Sequence, residues 1–441
     1  MSSRIMRRST LFTRTRNSAR AVTRVIAGLA FAGLGACNSL LSVDNPASVP
    51  VEALSDPTLI RPLTNAAIQT LQCGVEQYDA STAMLAGEYL SSNGFVDNHP
   101  WEWRGIVEIK AAPGSCNFGL NTTAMGFYTP LQQARFQLDD AFNRLEKLTD
   151  ADVVSRTLLM EEMRAYAGYA DLLLGEGMCQ MTIDDGPAMT REQVFALAES
   201  RFTDAIALAA KVTDSTTTAA SVLNMALVGR ARARLDLKHL PEAAADANAV
   251  PTGFVRNAEF TEGGAPARTN RIFNLTIRNA FLSVADAYRN MTVNGVSGNV
   301  ADPRVVTKSA GLGNDGVTPQ FQQQKFTAGG SPIPIASWNE AQLIYAEAVG
   351  GQAGFDAINR VRAANKVPAL AGAVPTGQAY TDLVLEERRR QLFSEGQRYG
   401  DMLRYNLPFT SGVNRKGQTY SNLTCVPLPD VETFNNPNFK S

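Results

Sequence analysis

Histidine is nearly absent from these 441 residues, at two, and there are only five cysteines. The cysteine spacings fit no zinc pattern, and two histidines make a histidine-based metal site unexpected. Charge is also sparse, at 19% of residues against 44% hydrophobic, so the chain can bury a large core and is not disordered by composition. One large domain or two intimate ones fit this length. No G-x-S-x-G elbow, P-loop or dinucleotide fingerprint occurs, which removes the commonest hydrolase and nucleotide-binding readings. The apolar run Val25 to Ala36 is too short for a spanning helix of roughly 20 residues.

Acids are missing altogether before residue 37, where seven arginines (Arg4, Arg7, Arg8, Arg14, Arg16, Arg20 and Arg24) precede that apolar run. The segment has the layout of a signal peptide. Removing it takes the formal charge from −1 to −8, so the remaining chain offers no electrostatic reason to bind nucleic acid. Leu34-Gly35-Ala36-Cys37 resembles a bacterial lipobox, which makes Cys37 the lipidated first residue of the mature chain. An ordinary signal peptide with an accidental cysteine is the alternative, and Arg7-Arg8 is compatible with twin-arginine export. Cys73, Cys116, Cys179 and Cys425 then remain, an even number in an exported protein, with three pairings open. Cys73 with Cys116, flanking a loop-rich segment, is the pairing expected.

From these signals the chain divides into a leader (1–36), a Pro-, Asp- and Ser-rich tether (37–56) and a main domain (57–441). In the main domain, helical periodicity dominates from Pro57 to about His239: 58–72, 128–148, 156–175, 191–212 and 221–240. These helices come in pairs with small residues at fixed places, where Tyr166, Leu173 and Phe202 fill the gaps. Ala226 to Pro251 and Ala341 to Pro368 repeat the scheme, which resembles the tetratricopeptide pattern of about 34 residues. Between 251 and 334 the texture turns to Gly, Asn, Thr and Asp, with short strands and one predicted helix at 279–291. A second irregular region spans 91–124. A C-terminal helical part (335–441) follows.

Recognition residues are expected in loops held on the helical scaffold. The stretch NGFVDNHPWEWRG, Asn93 to Gly105, gathers the richest set. Asp97, Asn98, Trp101, Trp103 and Arg104 are the candidate ligand contacts, since flat aromatic faces stack on sugar CH groups while amides, carboxylates and guanidinium satisfy hydroxyls. In an extended segment Trp101 and Trp103 face the same side. Anchoring of the loop onto the helices is the competing role. Trp338 opens a periodic helix and belongs to packing. Glu161-Glu162, Asp139-Asp140 and Asp184-Asp185 are adjacent acids that do not converge on a helix and are expected on solvated faces. Asp44, Asp302 and the Gly313–Gly316 run have oxygen ligands for calcium but no EF-hand spacing, so no cofactor is expected.

Near the end, VLEERRRQLFSEGQRYGDMLRYN, Val384 to Asn406, sets five arginines among leucines and aromatics. At 100° per residue Arg388 and Arg389 share the apolar arc with Leu385 and Leu392, so they are expected to be partly buried and ion-paired. Glu395 lies on nearly the same side as Arg388, and Glu386 pairs with Arg390 at i,i+4 on an exposed side. Gly396 ends the helix and a short second one follows. This predicts a structural lock between the C-terminal helices and the scaffold, away from any ligand.

Taken in order, Leu41–Pro46, Asn339–Ala348, Ala357–Ala363, Glu386–Arg390 with Glu395–Arg398, and the tail Val426–Pro429 with Asn435–Asn438 resemble the SusD/RagB family of outer-membrane nutrient-binding lipoproteins. Ser337 stands where that family often has an arginine. The 405 residues that follow residue 36 are short for a glycan-binding member. The resemblance implies a mainly α fold of tetratricopeptide-like helical pairs with a loop-rich, short-strand ligand-binding part. It further implies a lipid-anchored protein of the outer membrane, facing the exterior. Such a protein binds an oligosaccharide, or a peptide, and passes it to a SusC-like TonB-dependent transporter without catalysis. A periplasmic tetratricopeptide-type scaffold and a glycoside-processing enzyme are the alternatives.

Overall fold

The computed structural model describes residues 54, 56–96, 98–111, 113–116, 125–263 and 268–439. The leader, Cys37, the Leu41–Pro46 motif and Asp97 lie outside them. The chain divides between Ser55 and Asp56, and the helices belong to the unit that begins at Asp56.

Asp56 opens this unit as a cap, its carboxylate accepting from the Thr58 amide at 2.8 Å. Helices α1 (Ile60–Leu85), α4 (Tyr128–Glu146), α5 (Arg156–Gly177), α6 (Arg191–Ala209), α7 (Thr216–Asp236) and α8 (Leu240–Ala249) follow, interrupted by short α2 (His99–Trp103) and α3 (Ile106–Ala111). Further on, after α9 (Arg271–Phe273), come α10 (Trp338–Val349), α11 (Gly351–Ala364), α12 (Gln378–Gln391), α13 (Gln397–Arg404) and α14 (Asp430–Asn435). The long helices stack in chain order: α1 on α4, then α5, α6, α7, α8, α10 and α11, each against the next. The fold is mostly helical, as expected, and the pairing is tetratricopeptide-like in its packing. Phe202 of α6 is inserted between α5 and α7 where both carry glycine: a Cβ at Gly168 would stand 2.7 Å from its ring, and one at Gly229 2.3 Å.

Helix α1 runs thirteen residues past the end of its periodic pattern at Gln72. From Cys73 to Leu85 every residue is buried, polar Glu76, Gln77, Asp79, Ser81 and Thr82 included, so no amphipathic stripe marks it. Two disulfides staple the unit, Cys73–Cys116 across 43 residues and Cys179–Cys425 across 246.

Among the described residues the strands form three two-stranded antiparallel ribbons: β1 (Tyr89–Ser91) with β3 (Leu282–Val284), β2 (Val255–Ala258) with β6 (Ile333–Ser337), and β4 (Thr307–Leu312) with β5 (Pro319–Gln323). The helix expected at 279–291 is absent. Ala280 takes a left-handed φ of +53°, and Leu282, Ser283 and Val284 form β3 with both faces buried, followed by a single turn at Asp286–Tyr288. A strand buried on both faces lacks alternation, which is why its sequence passes for helix.

Two of the three acidic pairs also depart from expectation. Asp139 is bound by Arg135, Arg164 and Arg201, and the Arg201 guanidinium bridges on to buried Asp171. Glu161 is buried on α5 with neither carboxylate oxygen hydrogen-bonded among the described residues. Burial, with Glu162 adjacent, pushes its pKa up to about 8 from the ordinary 4.5. A raised carboxyl favours the folded state fully only below pH 4.5, and that contribution is lost as pH climbs toward 8. Glu161→Gln is therefore expected to leave the melting temperature unchanged near pH 4 and raise it by a few degrees at pH 8, removing a buried unpaired charge that costs about 1–3 kcal/mol. A pH-independent effect in thermal scans would contradict the assignment.

The arginine-rich stretch resolves into a charged spine through the helix stack. Arg232 of α7 holds Glu176 of α5 bidentately and reaches Glu340 of α10 at 3.4 Å, and Gln397 of α13 donates to the same Glu340 at 3.0 Å. Arg388 is fully buried and its Nε donates to Asp401 at 2.9 and 3.0 Å. Arg404 joins Glu347, Asp236 and Asp401. Asp401, brought round by the turn into α13, is thus the partner of Arg388; Glu395 instead meets Lys325 at 2.5 Å. Arg389 and Arg390 both take Glu386. Arg390 is buried and reaches Asp302 at 2.9 Å, so the Glu386–Arg390 pair is not on an open face, and Arg389, its side chain 19% exposed, is partly buried as expected.

Candidate functional site

Residues 91–105, the segment richest in recognition chemistry, fold back onto the scaffold as β1, a loop and α2. Pro100 in the first turn favours the helix. Because the segment is helical, Trp101 and Trp103 point to different sides. Trp101 is 2% exposed and packs 6.0 Å from the Phe127 ring in the core. Trp103 is half-buried with its ring over Gly105. Asn98 is wholly buried, and its amide finds no partner among the described residues. Of the five expected contacts, Asn98, Trp101 and Arg104 are thus inside the protein and out of reach of a surface ligand.

Arg104 works as a clamp. At φ +59° it turns its guanidinium between Phe409 and Tyr420, 5.3 Å from each ring, and Nη2 donates to the carbonyls of Thr410 and Ser421, both at 2.7 Å. Glu102 completes the junction by accepting from the Ser91 amide at 2.7 Å, Arg415 at 3.0 Å and the Tyr420 hydroxyl at 3.3 Å. The C-terminal loop 409–421 is thereby fixed to the 91–105 segment, about 300 residues away in sequence. The loop is rigid because its charged side chains are used internally.

What remains open to solvent is Phe95 and its surroundings. The ring is 41% exposed and steadied edge-to-face by Phe281 at 5.0 Å. Next to it the Asn93 carbonyl collects His99 Nε2 at 2.7 Å and the Lys416 ammonium, which lies 3.1 Å from both His99 Nε2 and Asp315 Oδ2. Burial, with the Lys416 charge, pushes the His99 pKa below its ordinary value, so the imidazole is neutral at pH 7. Burial opposes ionisation of Asp315, but hydrogen bonds from Thr318 and Lys416 outweigh it and hold the carboxyl well below the usual range. The Lys416 and Asp315 side chains, 16% and 8% exposed, are largely satisfied by each other and by the backbone, so the exposed Phe95 ring is the open feature of this segment. Asp302 and Asp315, weighed as calcium ligands, are bonded to arginine and to lysine instead. Among the described residues no group of three or more His, Cys, Asp or Glu is set to hold a metal.

Residues 314–438 match the model of the SusD family. No curated protein matches the chain. Solved structures match it over most of its length: a SusD-like carbohydrate binding protein from Bacteroides vulgatus at 14% identity, covering 87% of this chain and 97% of that one with a TM-score of 0.59. A SusD superfamily protein from Bacteroides fragilis matches at 14% identity, 88% and 99% coverage and a TM-score of 0.62. Residues 314–438 are thus similar to the SusD family, and the chain shares the fold of SusD-like proteins. A laminarin binding SusD-like protein shares the fold at 14% identity, with 86% and 98% coverage and a TM-score of 0.58. The family segment of this SusD-like chain takes in α10 to α14 and loop 409–421, and so includes the clamp's aromatic rings but not Phe95.

Lys416 sits in a turn of ordinary composition and carries no signal along the sequence; only the chain's return to Asn93 brings it to His99 and to Asp315 of the Gly313–Gly316 run. Phe95 and His99 lie within Asn93–Gly105, where the tryptophans carry the stronger compositional signal.

Proposed function

We propose that this SusD-like protein is a surface-exposed, lipid-anchored outer-membrane lipoprotein that binds an oligosaccharide and delivers it to a partner TonB-dependent transporter. It catalyses no reaction. The observation that carries the reading is the solvent-facing Phe95 ring, 41% exposed and steadied by Phe281, on a fold shared with a laminarin binding SusD-like protein. The Leu34–Cys37 motif supports the anchor. The proposed attachment is the lipid at Cys37, and no helix among the described residues is long and apolar enough to cross a membrane.

Isothermal titration of the mature chain with laminarin and a panel of other glycans tests this. Phe95→Ala is expected to weaken the bound glycan about tenfold, roughly 1.4 kcal/mol, at unchanged melting temperature. Equal affinity in the variant, or binding of peptides and no glycan, would overturn the glycan reading. Recovery of the protein with a β-barrel transporter from outer membranes tests delivery.

A further inference from the structure

The turn that joins α12 to α13, residues 392–396, rests on the C-terminal end of α1 through acids. Glu76 and Asp79 share one face of α1 at i,i+3, and Glu88 follows three residues past its end. All three are at most 3% exposed. The Glu88 carboxyl accepts from the Ser394 amide at 3.3 Å, while its Oε2 is without a donor among the described residues, as are Asp79 Oδ2 and Glu76 Oε1. The turn comes very close to them. Ser394 and Gly396 both take a left-handed φ, +64° and +67°, and a Cβ at Gly396 would stand 2.4 Å from Asp79 Oδ1 and 2.9 Å from the Tyr78 ring. The Tyr89 hydroxyl meets the Ser394 hydroxyl.

The cations around this junction are committed to other acceptors. Lys325 donates to the Gln391 and Phe393 carbonyls and to Glu395, Arg389 is held by Glu386, and Arg232 joins Glu176 to Glu340. Arg398, with Lys325 and Arg389, completes the charges facing Glu88, and Arg271, whose amide donates to Glu76 at 2.8 Å, faces Glu76. Asp79 is faced by three acids, Glu395, Glu88 and Glu76, and by Arg232. Tyr89 and Tyr288, also against Glu88, are buried and stay neutral. Protonated, the carboxyls fit this dry junction as neutral groups. Ionised, Asp79, Glu88 and Glu395 are like charges shut away from water. Burial accordingly pushes the Glu88 pKa up to about 7 and holds that of Asp79 well above the ordinary value.

We propose that these acids form a pH-sensitive latch: protonated, Asp79 and Glu88 hold the 392–396 turn against α1, and on ionisation they release it. Because Tyr89 opens β1, release also loosens the strand that leads to the Phe95 segment.

In an opened turn Glu88 meets water and ionises with its ordinary pKa of 4.5. The closed form is therefore favoured fully below pH 4.5 and loses that advantage as pH rises to about 7. For Glu88 alone the opening constant should grow about thirtyfold between pH 5 and pH 7.

Hydrogen–deuterium exchange of the mature chain, read by mass spectrometry and corrected for the intrinsic pH dependence of amide exchange, tests this. Protection of peptides spanning 392–396, where the Leu392 and Glu395 amides are bonded at 2.9 and 3.1 Å, is expected to fall about thirtyfold or more from pH 5 to pH 7. Peptides from the middle of α6 are expected to fall less. Glu88→Gln keeps an oxygen for the Ser394 amide but cannot ionise, and it is expected to remove about thirtyfold of this dependence. Asp79→Asn, equal in shape, is the second variant and is expected to flatten the dependence as well, with a melting temperature at pH 5 close to that of the unsubstituted chain. Protection of 392–396 that does not change with pH, a parallel fall in α6, which marks global unfolding, or an unchanged dependence in either variant would each overturn the latch.

Discussion

Arg232→Met is expected to destabilise the protein by about 3–5 kcal/mol, or to abolish folding at 37 °C, because it strands two buried carboxylates. Glu176 and Glu340 are 2% exposed, and Arg232 is the cation that joins them. Methionine replaces the volume of the stem but none of the five donors. Even with Arg232 present, burial pushes the Glu340 pKa up to about 7. The variant's deficit should consequently be smaller at pH 5, where the carboxyl is protonated in the folded state, than at pH 8. Denaturant midpoints at the two pH values measure this. Arg389→Met is the control: its side chain is 19% exposed and its partner Glu386 29% exposed, so no fully buried carboxylate is stranded and the cost should be smaller, about 1–2 kcal/mol. Equal losses in the two variants would show that the spine is not a support of the fold.

The second large effect concerns the disulfides. Chain-entropy arithmetic gives about 5.5 kcal/mol for the 246-residue loop closed by Cys179–Cys425 and about 4 kcal/mol for the 43-residue loop of Cys73–Cys116. The Cys179→Ala/Cys425→Ala double variant should therefore lose about 1.5 kcal/mol more than Cys73→Ala/Cys116→Ala in urea titrations. The long bridge also secures the C-terminal tail where the Cys179 amide donates to the Val426 carbonyl at 2.8 Å and the Val426 amide to Gly177 at 3.1 Å. That tail follows directly on loop 409–421, which Arg104 and Glu102 hold against residues 98–105. An equal or smaller loss in the long-bridge variant would contradict the loop-length argument.

Helical periodicity exposed the scaffold where one face meets solvent, as in α4, α6 and α7. It failed for the second half of α1, which is buried all round, and for β3, buried on both faces. The same limit governed the charges. Spacing along one helix identified Arg388 as a buried arginine, because its neighbours Leu385 and Leu392 share the arc. It could not find Asp401, which a turn brings to the guanidinium, and it misassigned Glu161 and Asp139, whose surroundings come from other helices. In the stretch Asn93 to Gly105, helical winding of His99–Trp103 sends Trp101 inward and leaves Phe95 outside.

The sequence by itself determined the helical pairs and the resemblance to SusD proteins, because periodicity, small-residue spacing and ordered motifs are local or collinear along the chain. Tertiary structure alone decided which carboxylate each buried arginine meets, which aromatic faces solvent, and that Lys416 and Asp315 stand beside His99. Those pairings join residues tens to hundreds of positions apart, and their strength depends on burial, a property that no single segment possesses before the chain folds.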